Sequence, residues 1–184
     1  ADHLPAQFIA DMQRDYGDTA LGRQELRGEL LRDVEGALWS RALLERCREG
    51  VSPETTQTRI VVGVDPPASA NGDACGIVVT GMDTNGLATV LADASVARPS
   101  PETWARRVAE TAAAWSADRV VAEANQGGAM VESVLRAADI ALPVKLVHAS
   151  RGKVARAEPI AALYEAGRVR HAGLFAALED ELCG

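Results

Sequence analysis

Residues 58–80 read TRIVVGVDPPASANGDACGIVVT, an apolar run closed by a carboxylate, then a polar turn and a second apolar run. Ile60, Val61, Val62 and Val64 are the β-branched residues of a strand expected to be buried on both faces. Pro66, Pro67, Asn71 and Gly72 end that strand and turn the chain back. Asp65 therefore stands at a strand's mouth. Cys75–Thr80 is apolar as well, so the pair reads as an antiparallel hairpin in the middle of a sheet, with Asp73 entering it opposite Asp65. A carboxylate at such a place is either a turn residue capping backbone amides or a metal ligand held on rigid scaffold.

Outward from this hairpin, 184 residues with 47% apolar content suffice for one sizeable core. Aromatic residues make up only 4%, so that core is built from Val, Leu, Ile and Ala. A formal charge of -7 opposes general attraction to polyanions, and any nucleic-acid contact must come from local charge. Cys47, Cys75 and Cys183 are odd in number and far apart, without zinc-ligand spacing, which suits a reducing compartment. No apolar run approaches the ~20 residues that span a bilayer. The expectation is a soluble, intracellular protein with no membrane partner.

Residues 1–50 hold 10 Asp/Glu and 7 Lys/Arg with helical spacing in Leu21, Leu26, Leu30, Leu31 and Val34. Phe8, Met12, Tyr16 and Leu21 suggest a further helix face. Trp39, Leu43 and Leu44 continue the stripe toward a stop at Gly50, and Ser52 and Pro53 suit a linker. This segment either packs on the main domain or is the edge of a preceding one. Beyond the hairpin, Leu87–Ala92 follows an Asn85-Gly86 turn as a third strand. Ser100 and Pro101 then open a helix carrying Trp104, Val108, Thr111, Ala112 and Trp115 on one face. DRVVAEA gives a fourth strand ending at Glu123, and a second helix covers about Ala129–Ala138 with Val131, Val134 and Leu135 inward. Val144–His148 is a fifth strand, and a third helix over Val154–Ala166 stops at Gly167. The tail Val169–Cys183 holds a short extended piece and an apolar turn.

Three antiparallel strands followed by alternating helices and strands define a mixed sheet. Because helical crossovers return parallel and right-handed, the fourth strand can lie beside the first. Asp65 and Glu123 would then meet at one carboxyl edge, about 5 Å apart between backbones. Two anions at that spacing repel unless a cation neutralises them, and carboxylate oxygens are the hard donors preferred by Mg²⁺ or Mn²⁺. Asp73 can reach the same place, and a two-ion site would suit attack of water on a phosphodiester. The other reading of Glu123 is a cap for the helix after it. Asn125, Gln126, Gly127 and Gly128 are either a turn or a phosphate approach to backbone amides. Lys145, Arg151, Lys153, Arg156, Arg168 and Arg170 set six cations against Glu158 and Glu165, a local +4. That region is either a solvated face or a track for a phosphate backbone beside the carboxylates. His148 and His171 are lone histidines, and SRGK at 150–153 lacks the earlier glycine of a phosphate loop.

IVVGVDPPAS with Asp73 eight positions after Asp65, VVAEANQGG, HASRGKVARAEPIAALYEAGRVRHAG and LEDELCG together resemble the C-terminal nuclease domain of large terminase subunits from tailed bacteriophages and gene transfer agents. YGDTALGRQELRGELLRDVEGALWS, residues 16–40, resembles the end of the ATPase motor that precedes that nuclease. The resemblance implies an α/β, RNase H-like fold: a mixed five-stranded sheet, its first three strands antiparallel, flanked by helices, with an N-terminal helical segment. It implies residues 1–52 as the link from a missing ATPase motor and residues 53–184 as the nuclease domain. It also implies a divalent-metal DNA endonuclease that cuts concatemeric DNA during packaging in the cytoplasm of a bacterial host. Asp65 and Glu123 correspond to its catalytic, metal-binding acids, Asp73 to an auxiliary metal ligand, and the implied cofactors are two Mg²⁺ or Mn²⁺ ions. Double-stranded DNA, the ATPase motor, the portal protein and the small terminase subunit are the implied partners.

The family's third catalytic Asp stands in a later motif of the form PDRxDALVWAL, which does not occur before Gly184. Asp180 and Glu181 belong to the preceding element and are not assigned that role. The expectation is a domain truncated at its C-terminus, with weakened metal affinity and cutting. Two other readings share these residues: another RNase H-like nuclease such as a junction resolvase, and a noncatalytic DNA-docking or motor-coupling module. A sugar-kinase-like ATPase also starts on an Asp-ended hairpin, but adenosine-binding glycines are not visible downstream.

Overall fold

The computed structural model describes residues 34, 36–50, 55–67, 74–124 and 128–184. The expected helix faces at Phe8–Leu21 and Leu26–Leu31, the linker at Ser52 and Pro53, the turn residues Asn71 and Gly72, Asp73, and Asn125–Gly127 lie outside them. In chain order the elements are α1 (Arg41–Arg48), β1 (Arg59–Asp65), β2 (Ala74–Met82), β3 (Ala88–Asp93), β4 (Val96–Ala97) and α2 (Pro101–Ala114). They continue with β5 (Arg119–Glu123), α3 (Gly128–Ala138), β6 (Val144–Val147), α4 (Lys153–Glu165), β7 (Val169–His171) and α5 (Ala176–Cys183). The chain divides into two compact units, Cys47–Gly173 and a second formed by Ala1–Arg46 with Leu174–Gly184.

The larger unit is a mixed sheet of order β6-β5-β1-β2-β3-β7, with β4 pairing beside β2. The five expected strands are present, and the two-residue β4 and the three-residue β7 add to them. β1 and β2 form the expected hairpin, Asp65 pairing Gly76 and Val62 pairing Val79. β2 and β3 continue antiparallel with a bulge at Val79/Thr80. β5 returns parallel to β1, and β6 parallel to β5. Only one face of the hairpin is fully buried: Val62, Val64, Cys75, Ile77 and Val79 pack under the helices while Val61 and Val78 keep partial exposure. The difference from a strand covered on both sides is that α2 and α3 cover one side.

That side is the core. Trp104, Ala105 and Val108 of α2, with Val131 and Leu135 of α3, pack against Val62, Ile77, Val79, Val120 and Ala122. α2 begins where the sequence puts it: the Ser100 hydroxyl accepts from the Thr103 amide at 3.2 Å and Pro101 occupies the first turn. The Asn85-Gly86 turn is held by the Asp83 carboxylate, which accepts from the Asn85 and Leu87 amides at 2.8 and 2.9 Å. Gly86 has φ 73°, a conformation open to glycine without strain. Those amide bonds hold the Asp83 carboxyl below its ordinary pKa, Leu87 contributing most. α4 stops at Gly167, with φ 68°. In β7, His171 is fully buried and shares a 2.9 Å hydrogen bond between Nε2 and the Tyr164 hydroxyl, a structural role.

In the smaller unit, Trp39, Leu43 and Leu44 are buried as their spacing anticipates. Arg41 Nη2 donates to Asp180 Oδ1 at 2.8 Å. That engages Asp180 in an ion pair. No helix among the described residues is long and apolar enough to cross a membrane.

Candidate functional site

The site grows out of the parallel pairing of β1 with β5. Val64 opposes Ala122, and one residue further along each strand stand Asp65 and Glu123. In a parallel pair, residues at the same level share a face, so both acids project from the side opposite Val62, Val64, Val120 and Ala122. Adjacent strands lie about 4.8 Å apart. The apolar positions on both strands bury one side and thereby force the two carboxylates together on the other.

Their proximity is visible in the Asp65 carboxyl, whose pKa is raised above 3.8 by burial first and by the Glu123 charge second; the charges of Lys153 and Arg156 act the other way. Asp65 as a residue remains open to solvent, yet its base lies on β2, where a Cβ built on Gly76 would stand 3.5 Å from Asp65 Cβ. The open side screens the repulsion, and the β2 side supplies the desolvation. Cys75, next along β2, is fully buried. Burial, aided by the Asp65 charge, pushes its thiol up to about 12, so it is a neutral core residue rather than a nucleophile.

The cations come from the start of α4. Lys153 and Arg156 are three residues apart and so share one helix face. Arg156 Nη1 donates to Glu123 Oε2 at 2.9 Å, with side-chain exposures of 38% and 24%. The bond stands partly in solvent, with Arg156 exposed, so it is a solvent-screened contact. Lys145 stands on the same sheet face, since it pairs Val121 two positions before Glu123. Arg151 is exposed just ahead of α4. Arg168 and Arg170 are elsewhere. β7 runs parallel to β3 at the far edge of the sheet, three strands from β1. Arg168 Nη2 donates to the Gly86 carbonyl at 3.1 Å, which puts it at the amino end of the sheet, opposite the carboxyl end that bears Asp65. The expectation of one basic track beside the carboxylates is therefore corrected: Lys145, Lys153 and Arg156 gather there, whereas Arg168 and Arg170 do not. The reason is the crossover of α4 from one sheet edge to the other.

Asp73 lies outside the described residues. Among the described residues no group of three His, Cys, Asp or Glu side chains comes together as a metal site. Two carboxylates fit a divalent cation that completes its shell with water or phosphate oxygens, as Mg²⁺ does. Sequence reasoning missed two features of the pair: Gly76, which lets β2 lie against Asp65, and the direct Arg156–Glu123 bond. The three-residue spacing of Lys153 and Arg156 was the available signal for the second.

A mixed sheet with this strand order, its helices on the crossovers and its acids at neighbouring parallel strand ends, is an RNase H-like fold. The chain belongs to the Terminase RNaseH-like domain family, whose pattern matches residues 62–183. The large terminase nuclease of the thermophilic phage G20c is similar in structure, with TM-score 0.53 and 16% identity over 68% of this chain and 63% of that one. The large terminase of bacteriophage HK97 is similar with TM-score 0.50 and 18% identity, covering 92% of this chain and 41% of that one. A manganese-containing nuclease domain (K428A mutant) of the large terminase subunit gp2 of bacterial virus Sf6 gives TM-score 0.47 and 17% identity over 61% and 47% of the two chains. The chain thus spans less than two thirds of the length of each of these proteins. Comparison with curated protein sequences gave no match.

Proposed function

We propose that this chain is the divalent-metal-dependent DNA endonuclease part of a large terminase subunit, cutting concatemeric viral or gene-transfer-agent DNA during packaging. The observation that carries the reading is the register of β1 and β5, which leaves Asp65 and Glu123 side by side on an open sheet face. Family membership supports it. Asp65 and Glu123 hold the cation, with Asp73 as a further ligand; Mg²⁺ or Mn²⁺ suits these oxygen donors. A divalent cation bound there supplies activation of water and neutralisation of charge on the phosphodiester.

The chain's own residues do the rest. The rigid pairing of β1 with β5 fixes the separation of the two acids, so little ordering is needed when substrate arrives. Lys145, Lys153 and Arg156 hold phosphates beside the acids, with Arg151 at the approach. Contacts of this kind position a duplex without reading bases, so cutting is sequence-tolerant and salt-sensitive. Residues 1–52 serve as the link to an ATPase motor, and the portal protein and small terminase subunit are partners of the assembled enzyme.

Nicking of supercoiled plasmid by this chain in Mg²⁺ or Mn²⁺ tests the reading, with Asp65→Asn and Glu123→Gln as controls. Loss of nicking in both variants is expected. Equal nicking by Asp65→Asn removes that residue from the mechanism, and nicking unaffected by chelator removes the metal.

A further inference from the structure

The residue that stands directly on the carboxylate pair is a cation from the chain itself. Glu123 Oε2 accepts from Arg156 Nη1 at 2.9 Å, across 33 positions of sequence, and α4 is placed so that Lys153 turns toward the same side. A guanidinium in this position does for Glu123 what a divalent ion would do: it neutralises a carboxylate that faces another carboxylate. It also competes, since a divalent cation would draw on the same carboxylate. Arg156 retains 38% of its side-chain surface and sits in the first turns of α4, so its long stem can turn without moving the helix. Arginine is also the side chain best matched to a phosphate, through its planar fork of donors.

We propose that Arg156 is an exchangeable counter-ion: without metal it holds Glu123, and when a divalent cation takes that carboxylate it turns to a phosphate of the bound strand. This rests on the nuclease reading above and deepens it, because it couples the two loading events. Metal entry frees the guanidinium for DNA, and DNA draws the guanidinium away from the metal's ligand. By linkage each ligand then raises the affinity of the other by the same factor. Lys153 differs, acting on Asp65 through charge at a distance.

The test is a Mn²⁺ titration of the 184-residue chain by calorimetry without DNA, comparing wild type with Arg156→Gln, Lys153→Gln and Glu123→Gln. Arg156→Gln should bind Mn²⁺ roughly two- to five-fold more tightly, the factor expected for removing a solvent-screened competing ion pair. Lys153→Gln, which removes the same charge but not that bond, should tighten it by well under half of that factor. Without metal, Arg156→Gln should weaken binding of a 20-base-pair duplex by a smaller factor than it does once the site is filled. With Ca²⁺ present to fill the site it should bind more weakly than wild type, with a salt slope lower by about one. Unchanged or weaker Mn²⁺ binding by Arg156→Gln overturns the proposal. Equal tightening by Lys153→Gln also overturns it, since general charge would then account for the effect. Absence of Mn²⁺ binding in every variant, Arg156→Gln included, overturns it as well. The nuclease reading fails separately if Glu123→Gln binds Mn²⁺ as well as wild type does.

Discussion

Asp65→Asn should abolish nicking and at the same time stabilise the protein at neutral pH. The folded-state pKa of Asp65 lies above its ordinary 3.8, through burial and then the Glu123 charge. The native state therefore binds the proton more tightly than the unfolded chain does. Stability contributed by this group is greatest below pH 3.8 and is lost as pH rises through the window from 3.8 to the raised value. Above that window the ionised carboxylate is a fixed cost. Asparagine keeps the shape and cannot ionise, so it removes the cost. Because Asp65 is open on one side and opposed by Lys153 and Arg156, the gain is that of a solvent-screened pair, about 0.5–1 kcal/mol. In a chain of this length that raises Tm by about 1–4 °C. Urea unfolding at pH 7 and at pH 3.5, followed by the fluorescence of Trp104 and Trp115, measures it. The midpoint difference should be present at pH 7 and shrink at pH 3.5. A variant that is less stable than wild type at pH 7, or a difference that does not depend on pH, refutes the reasoning.

The core makes a second prediction, with its own control. Leu135→Ala removes a fully buried side chain and should cost about 2–5 kcal/mol in urea unfolding, while Ile140→Ala, 82% exposed, should stay within about 0.5 kcal/mol. Ser100→Ala deletes the cap on the Thr103 amide and should cost about 0.5–2 kcal/mol, measured in the same way. The Cys75 thiol, buried and pushed up to about 12, should resist iodoacetamide at pH 8.5 in the folded protein and react once urea unfolds it, as read by peptide mass spectrometry; fast labelling without urea would contradict its placement.

Much of the candidate site's geometry was legible because it depends on local patterns joined by one topological rule. Val62 and Val64, and Val120 and Ala122, are apolar at alternate positions, and the crossover helix between the strands makes them parallel; Asp65 and Glu123 then have nowhere to be but together. β7 was harder to read. A short extended piece was expected from Val169 on, but three residues carry too little pattern to say which strand they join, and the pairing of Val169–His171 with β3 is decided by α4 crossing the sheet. The basic residues between Lys145 and Arg170 look like one cluster along the chain for the same reason: sequence nearness says nothing about which sheet edge each one reaches.

What the amino-acid order alone determined is the set of elements and the position of an acid at the end of each of two strands, because strand alternation, turn chemistry and helix capping act between residues a few positions apart. Which cations meet those acids was left to the tertiary structure. Arg156 finds Glu123 only because β6 and α4 return past β5, and charge acts through space, at distances that only the packed backbone sets.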